Sequence, residues 1–190
     1  MNAAPADLDA TGRGVAATEV EYRYEPERTV GLLADVLARL HAAPPRTGWV
    51  PLRAADVVRR ASARVGAGEV RADTLDTAYA HLPPERLLEV LAAGAAAIDS
   101  VATAGSLVPT HGRADLVHLR CEGGRALGLA DWSAAALADP YRDLAVAARS
   151  VARELGPMLV PDLLEGAGHL RPDPVRLDWW ALADVLTGAG

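Results

Sequence analysis

THGRADLVHLRCEGGRALGLADWS, residues 110–133, decides how the rest of the chain is organised. Its apolar residues fall in short runs broken by a charged loop and by a Glu-Gly-Gly-Arg turn. With the preceding residues, LVPTHG, LVHLR and ALGLAD are therefore expected to be three small strands around a loop. His111, Arg113, Asp115, His118, Arg120 and Asp131 all fall on or beside that loop. Loops set on rigid elements carry function more often than the elements do.

Outward from this stretch the pattern is helical. Upstream, TVGLLADVLARLHAA places Leu32, Leu33, Val36, Leu37 and Leu40 at helical spacing and stops before Pro44-Pro45. Helices are expected over about 54–65 and 74–81. A longer one starts at Pro84, with proline and glutamate in its first turn and an Ala/Gly-rich face that permits close packing. Downstream of Asp139-Pro140, helices are expected in YRDLAVAARSVARELG, around PMLVPDLLEGAG, and in PVRLDWWALADVLTG. At the start, residues 1–17 read as a flexible tail, and TEVEYRYEP alternates like a half-buried strand with Val20, Tyr22 and Tyr24 on one face. The expected fold is mainly α (α+β), a single domain over 18–190 with a small β insertion at 107–130. Repeats and domain linkers are not seen in the sequence.

With 190 residues, half of them apolar, the chain can bury a substantial core. The single cysteine, Cys121, excludes an internal disulfide framework and reads as a packed thiol. Neither a signal peptide nor a membrane-spanning run is visible, so a cytoplasmic location is expected. The net charge of −6 argues against nonspecific nucleic-acid binding, which relies on clustered cations. All 19 basic residues are arginine, so no step that needs a lysine ammonium is available.

HGRADLVH, then LRCEGGRALGLA, then Asp131-Trp132, then DPYRDLA resemble, in order and spacing, the active-site region of the aminoglycoside phosphotransferase and choline kinase superfamily. That family is a branch of the protein-kinase-like fold. VLARLHAAP is similar to the first helix of its C-terminal lobe, so the resemblance covers roughly 20–190. It implies a helical C-lobe with a β-hairpin carrying the catalytic loop. It also implies that the nucleotide-covering N-lobe and its lysine are missing, because only the tail and one strand precede that helix. The family's catalytic base and a metal-binding asparagine correspond to Arg113 and His118 here. A guanidinium can be neither base nor metal ligand. Asp131 matches the metal-binding aspartate and is the sole metal ligand to be considered; no cofactor is expected.

Arginine matches phosphate with paired donors, and histidine is the common base near neutrality. Arg113 and Arg120 are therefore candidate phosphate anchors, with His118 or His111 handling a proton and Asp131 orienting a cation or a histidine. The leading expectation is a lyase, or lyase-cyclase, that eliminates phosphate from phosphorylated Ser or Thr of a ribosomal precursor peptide. The resemblance suggests this through phosphotransferase-like proteins of thioamitide and lanthipeptide maturation. A non-catalytic pseudokinase that binds a peptide or a partner enzyme is the alternative, and an aminoglycoside-type kinase with Asp115 as base is the third. A homodimer or partner is expected to cover apolar surface on the lobe.

Each of these residues also has a structural reading. His111 braces the loop, His41 packs, and His81 and His169 lie at the surface. Arg113 pairs with Asp131 or Asp143. Asp139 starts a helix, Asp143 accepts hydrogen bonds from the loop backbone, and Trp132 packs beneath the site. Trp179 and Trp180 point about 100° apart on one helix, so one of them is expected to serve an interface.

Overall fold

The computed structural model describes residues 5, 7–45, 48–71, 78–101 and 106–188. Seven helices and five short strands are described: β1 (Val15–Ala16), α1 (Val20–Arg23), α2 (Pro26–Ala42), α3 (Ala54–Gly66), α4 (Pro84–Val101), β2 (Val108–Thr110), β3 (Leu119–Glu122), β4 (Arg125–Leu129), β5 (Ala136–Ala138), α5 (Tyr141–Glu154), α6 (Val160–Gly166) and α7 (Pro174–Thr187). This is the mainly helical, kinase-like arrangement expected. Of the helix anticipated over 74–81, residues 74–77 lie outside the described residues, and residues 78–81 form a turn. No helix among the described residues is long and apolar enough to cross a membrane.

The helical core grows from two stripes. In α2, Val30, Leu33, Leu37 and Leu40 recur three or four residues apart, and all are buried, facing α6 and the strands. Helix α7 is enclosed by α3, α4 and α5. Trp179 and Trp180 are therefore both buried, ring against ring at 4.9 Å, and neither is left for an interface. The Trp179 indole N–H donates to the Leu91 carbonyl of α4 at 2.9 Å. A Cβ at Gly94 would meet that ring at 2.6 Å, so glycine there sets the α4–α7 distance.

The β segments divide into two sheets rather than one insertion. Strands β3 and β4 form an antiparallel hairpin through Gly123 and Gly124, both with positive φ. β2 pairs instead with β5, which the sequence pattern did not indicate. The loop 111–118 thus hangs between the two sheets, fixed at both ends.

Two expectations fail at the N-terminal side. TEVEYRYEP is not a strand: it folds as α1, with Tyr22 buried and Val20 and Tyr24 exposed, so its alternation does not mark a buried face. Pro26, expected to end that strand, begins α2, where its missing N–H is no loss. Nor are residues 8–17 a loose tail. β1 adds to the free edge of β3, and the Leu8 carbonyl accepts from Leu129 N (2.8 Å) while Ala10 N donates to Leu129 O (2.9 Å) along β4. The segment clasps the hairpin on both edges, and Leu8 is 1% exposed. Leu8→Ala should therefore lower the unfolding free energy by about 2–5 kcal/mol in urea titration, as for a core leucine; a change near zero would mean the clasp is not part of the fold.

Candidate active site

The loop is held from below by Asp143, in the first turn of α5. Its carboxylate is fully buried and accepts from His111 N (2.9 Å), Gly112 N (2.6 Å) and His41 Nε2 (3.2 Å). Burial pushes its pKa up, but the His41 hydrogen bond and charge, with Arg142 nearby, hold it below the ordinary value. His41, expected to pack, is thus the one side-chain hydrogen-bond partner of this carboxylate among the described residues. Arg142 clamps the loop from the side: Nη1 donates to Thr110 Oγ1 (2.9 Å) and Nη2 to Ala134 O (2.7 Å). Gly112 has φ +82°, and a Cβ there would run into the Arg142 guanidinium, so only glycine fits.

His111 is 0% exposed and braces the loop with both ring nitrogens. Nε2–H donates to Ala130 O (2.9 Å), while Nδ1 accepts from Arg113 N (3.2 Å). That tautomer is neutral, and burial lowers its pKa to about 4. Trp132 stands edge-on to the ring at 4.7 Å, packed beneath the site as anticipated.

Arg113 turns to Asp131, Nη1 to Oδ2 at 2.6 Å, with side chains 31% and 40% exposed. Asp131 is the sole non-glycine residue with positive φ among the described residues, and its other oxygen accepts from Ser133 N (3.2 Å). Hydrogen bonds from Ser133, with the Arg113 charge, hold its pKa at about 2. Both carboxylate oxygens are engaged, whereas only one nitrogen of the Arg113 fork is committed to it.

Asp115 and His118 close the other end of the loop. Asp115 Oδ1 accepts from His118 N (2.8 Å) and from His118 Nδ1 (2.7 Å). Burial raises the Asp115 pKa, but these bonds lower it more. With Nδ1 as donor, the neutral ring carries its lone pair on Nε2, which makes no hydrogen bond among the described residues. The His118 ring lies 5.9 Å from that of His111. Arg120 is held elsewhere: its guanidinium donates to the carbonyls of Arg13 (3.1 Å) and Gly14 (2.7 Å), fastening the N-terminal clasp.

Asp139 does start α5, accepting from Tyr141 N (2.9 Å), and it also takes a two-pronged contact from Arg176 (2.6 and 3.0 Å). Cys121 is buried, its thiol pushed up to about 11 chiefly by burial, as befits a packed thiol. His81 is exposed, while His169 packs edge-on against Tyr141 at 5.3 Å. Sequence reasoning missed Arg142 and the His41–Asp143 contact. The signal for the first was present, a charged residue between the two aspartates of DPYRD.

His111 couples this loop to pH. Between its unfolded value of about 6.5 and about 4, the unfolded chain takes up a proton that the buried ring refuses, so stability falls as pH falls. The loss approaches about 3 kcal/mol by pH 4. Thermal unfolding from pH 7 to 4 should show this slope, and His111→Gln should flatten it. An equal slope in the variant would place the titration elsewhere.

The phosphotransferase enzyme family matches residues 10–180. Among solved structures, aminoglycoside phosphotransferase APH(3'')-Id from Streptomyces rimosus superposes with a TM-score of 0.78 at 23% identity, covering 92% of this chain and 67% of that one. An aminoglycoside-3'-phosphotransferase of type VIII gives 0.73 at 24%, covering 91% and 65%. Macrolide 2'-phosphotransferase MphH from Brachybacterium faecium gives 0.52 at 24%, covering 92% and 56%. The chain thus spans between about half and two thirds of the length of these proteins, and the likeness extends through the loop, the hairpin and the helices that carry them. By its sequence from Ala10 to Trp180 and by its fold, this chain belongs to the phosphotransferase enzyme family.

Proposed function

We propose that this chain acts on a substrate that already carries phosphate. It eliminates phosphate from phosphoserine or phosphothreonine of a ribosomal precursor peptide, of the thioamitide or lanthipeptide kind, and the resulting dehydroamino acid is open to thioether ring closure. The observation that carries this reading is the Asp115–His118 pair, a carboxylate-oriented imidazole with Nε2 open to a substrate. His118 Nε2 takes the α-proton, the electron pair left on Cα forms the Cα=Cβ bond, and the Cβ–O bond breaks so that phosphate leaves with its electrons. The guanidinium nitrogen of Arg113 not bound to Asp131 is the anchor for the leaving group.

Phosphoryl transfer from ATP is less well supported. Arg113 occupies the base position, and Asp131 has to release Arg113 and Ser133 before it can hold a metal ion. The same closed pair favours a second reading, a loop without chemistry that presents a peptide-binding or enzyme-binding surface. A kinase for a small molecule of the aminoglycoside type rests on the family, with Asp115 as base. We place the chain in the cytoplasm, with a phosphorylated precursor peptide, a partner biosynthetic enzyme or a second copy as its partners.

A phosphopeptide incubated with the protein and its pathway partner should lose phosphoric acid by mass spectrometry. His118→Gln should slow this by about 100-fold or more, and Asp115→Asn by less, with both variants folded by circular dichroism. Intact phosphopeptide would sink the elimination reading. Incubation with magnesium, ATP and streptomycin should release no ADP above background; ADP release that Asp115→Asn abolishes would establish the kinase reading instead.

A further inference from the structure

Ser150 sits in the middle of α5, among the alanines of AVAARSVA, and is 2% exposed. Alanine is the better helix former at such a place, and a buried hydroxyl costs stability unless it is hydrogen-bonded. Its partner lies outside the helix: Ser150 Oγ accepts from Leu116 N at 3.2 Å. Leu116 is 0% exposed, so its amide is shut away from solvent and depends on an acceptor inside the protein.

That amide belongs to the peptide unit that follows Asp115. The carbonyl of the same unit, Asp115 O, accepts from Leu119 N at 3.0 Å, and Asp115 Oδ1 accepts from His118 N and Nδ1 at 2.8 and 2.7 Å. The next carbonyl, Leu116 O, accepts from Ala17 N at 3.1 Å. The turn 115–119 is thus tied to α5 by a side chain and to the N-terminal clasp by a backbone bond. Without the Ser150 hydroxyl, the Leu116 amide either stays unpaired in the interior or rotates towards another acceptor. Rotation would carry Asp115 O away from Leu119 N and swing the carboxylate off the His118 ring.

The chemistry of that ring depends on the contact. Which nitrogen of a neutral imidazole carries the proton is set by the hydrogen bonds the ring makes. Asp115 at Nδ1 selects Nδ1–H and so leaves the lone pair on Nε2. The other tautomer, Nε2–H, is the one an imidazole side chain free in water prefers, and it has no lone pair at that position. We propose that Ser150 is a positioning residue for His118: through Leu116 and Asp115 it keeps the ring in the tautomer that can take a proton at Nε2. This deepens the elimination reading and rests on it only for the task given to Nε2. The experiment reads the tautomer itself, so a phosphopeptide left intact would sink that reading without touching this one.

The protein has five histidines, and His118→Gln assigns the His118 ring in long-range ¹H–¹⁵N spectra at alkaline pH. Nδ1–H should be the dominant form in the wild-type protein. Ser150→Ala should lower its share to about half or less, with Nε2–H making up the rest. Leu91→Ala, a core change in α4, which packs on α3 and α7, should weaken the fold and leave the His118 ratio alone. In the wild-type protein the Leu116 amide should also exchange slowly with deuterium, a reading that needs no folded variant. An unchanged His118 tautomer in Ser150→Ala, an equal shift in Leu91→Ala, or a fast-exchanging Leu116 amide overturns the proposal.

Discussion

The site depends on one buried carboxylate. Asp143 has no solvent exposure, and an unpaired charge there would cost far more than a domain's net stability. It is tolerated because two backbone amides and His41 converge on it from α2 and from the loop. The bond network therefore works in both directions: the charge needs the loop in one conformation, and the loop is given that conformation by the charge. Replacing one partner would strand the others, which is why breaking such a cluster costs more than its net contribution to stability. Arg142 adds a second constraint by bridging Thr110 of β2 and Ala134, and so fixes where the loop begins.

From that fixed base the charges above can be sorted by partner. Arg113 faces Asp131, and His118 faces Asp115, each at hydrogen-bond distance. A site of the phosphotransferase kind sets a catalytic and a metal-binding carboxylate near each other and relies on cations to offset their repulsion. Here the guanidinium of Arg113 stands in that position and offsets Asp131 directly. The loop is electrostatically balanced by its own side chains.

Much of this was legible in the sequence, for identifiable reasons. The long helices α2, α3, α4, α5 and α7 announce themselves because one buried stripe repeats at helical spacing, and the β3–β4 hairpin because a Gly-Gly pair separates two apolar runs. The roles of Trp132, Asp139 and Asp143 follow from the motif and were anticipated as structural; His111, offered both as a brace and as a proton carrier, has both ring nitrogens committed to the backbone and is buried, so only the bracing role fits. What could not be read were contacts made across long separations. β5 is recognisable only once β2 lies beside it, and Ala136–Ala138 has no composition of its own. The clasp of residues 8–17 depends on Leu8 and Ala10 meeting Leu129, far along the chain. EVEYRYE alternates like a strand but pairs with no strand among the described residues, and local hydrogen bonding turns it into a short helix. Arg120 was assigned to phosphate from its place beside the loop, whereas the clasp it fastens was invisible.

The same distinction between charge inventory and charge placement bears on substrate choice. Sequence counting gives the loop an excess of cations, but after pairing little of that excess faces the position above it. On the opposite side of Gly112, Arg60 and Arg142 share a cavity beneath α3 and α7 with Asp56 and Asp184, so charge of both signs meets there as well. Gly112 belongs to both places: its amide binds Asp143 below the loop, and its bare Cα forms part of the cavity wall. A displacement of Gly112 would strain its hydrogen bond to Asp143, so this part of the cavity wall and the geometry of the loop are linked through a single glycine.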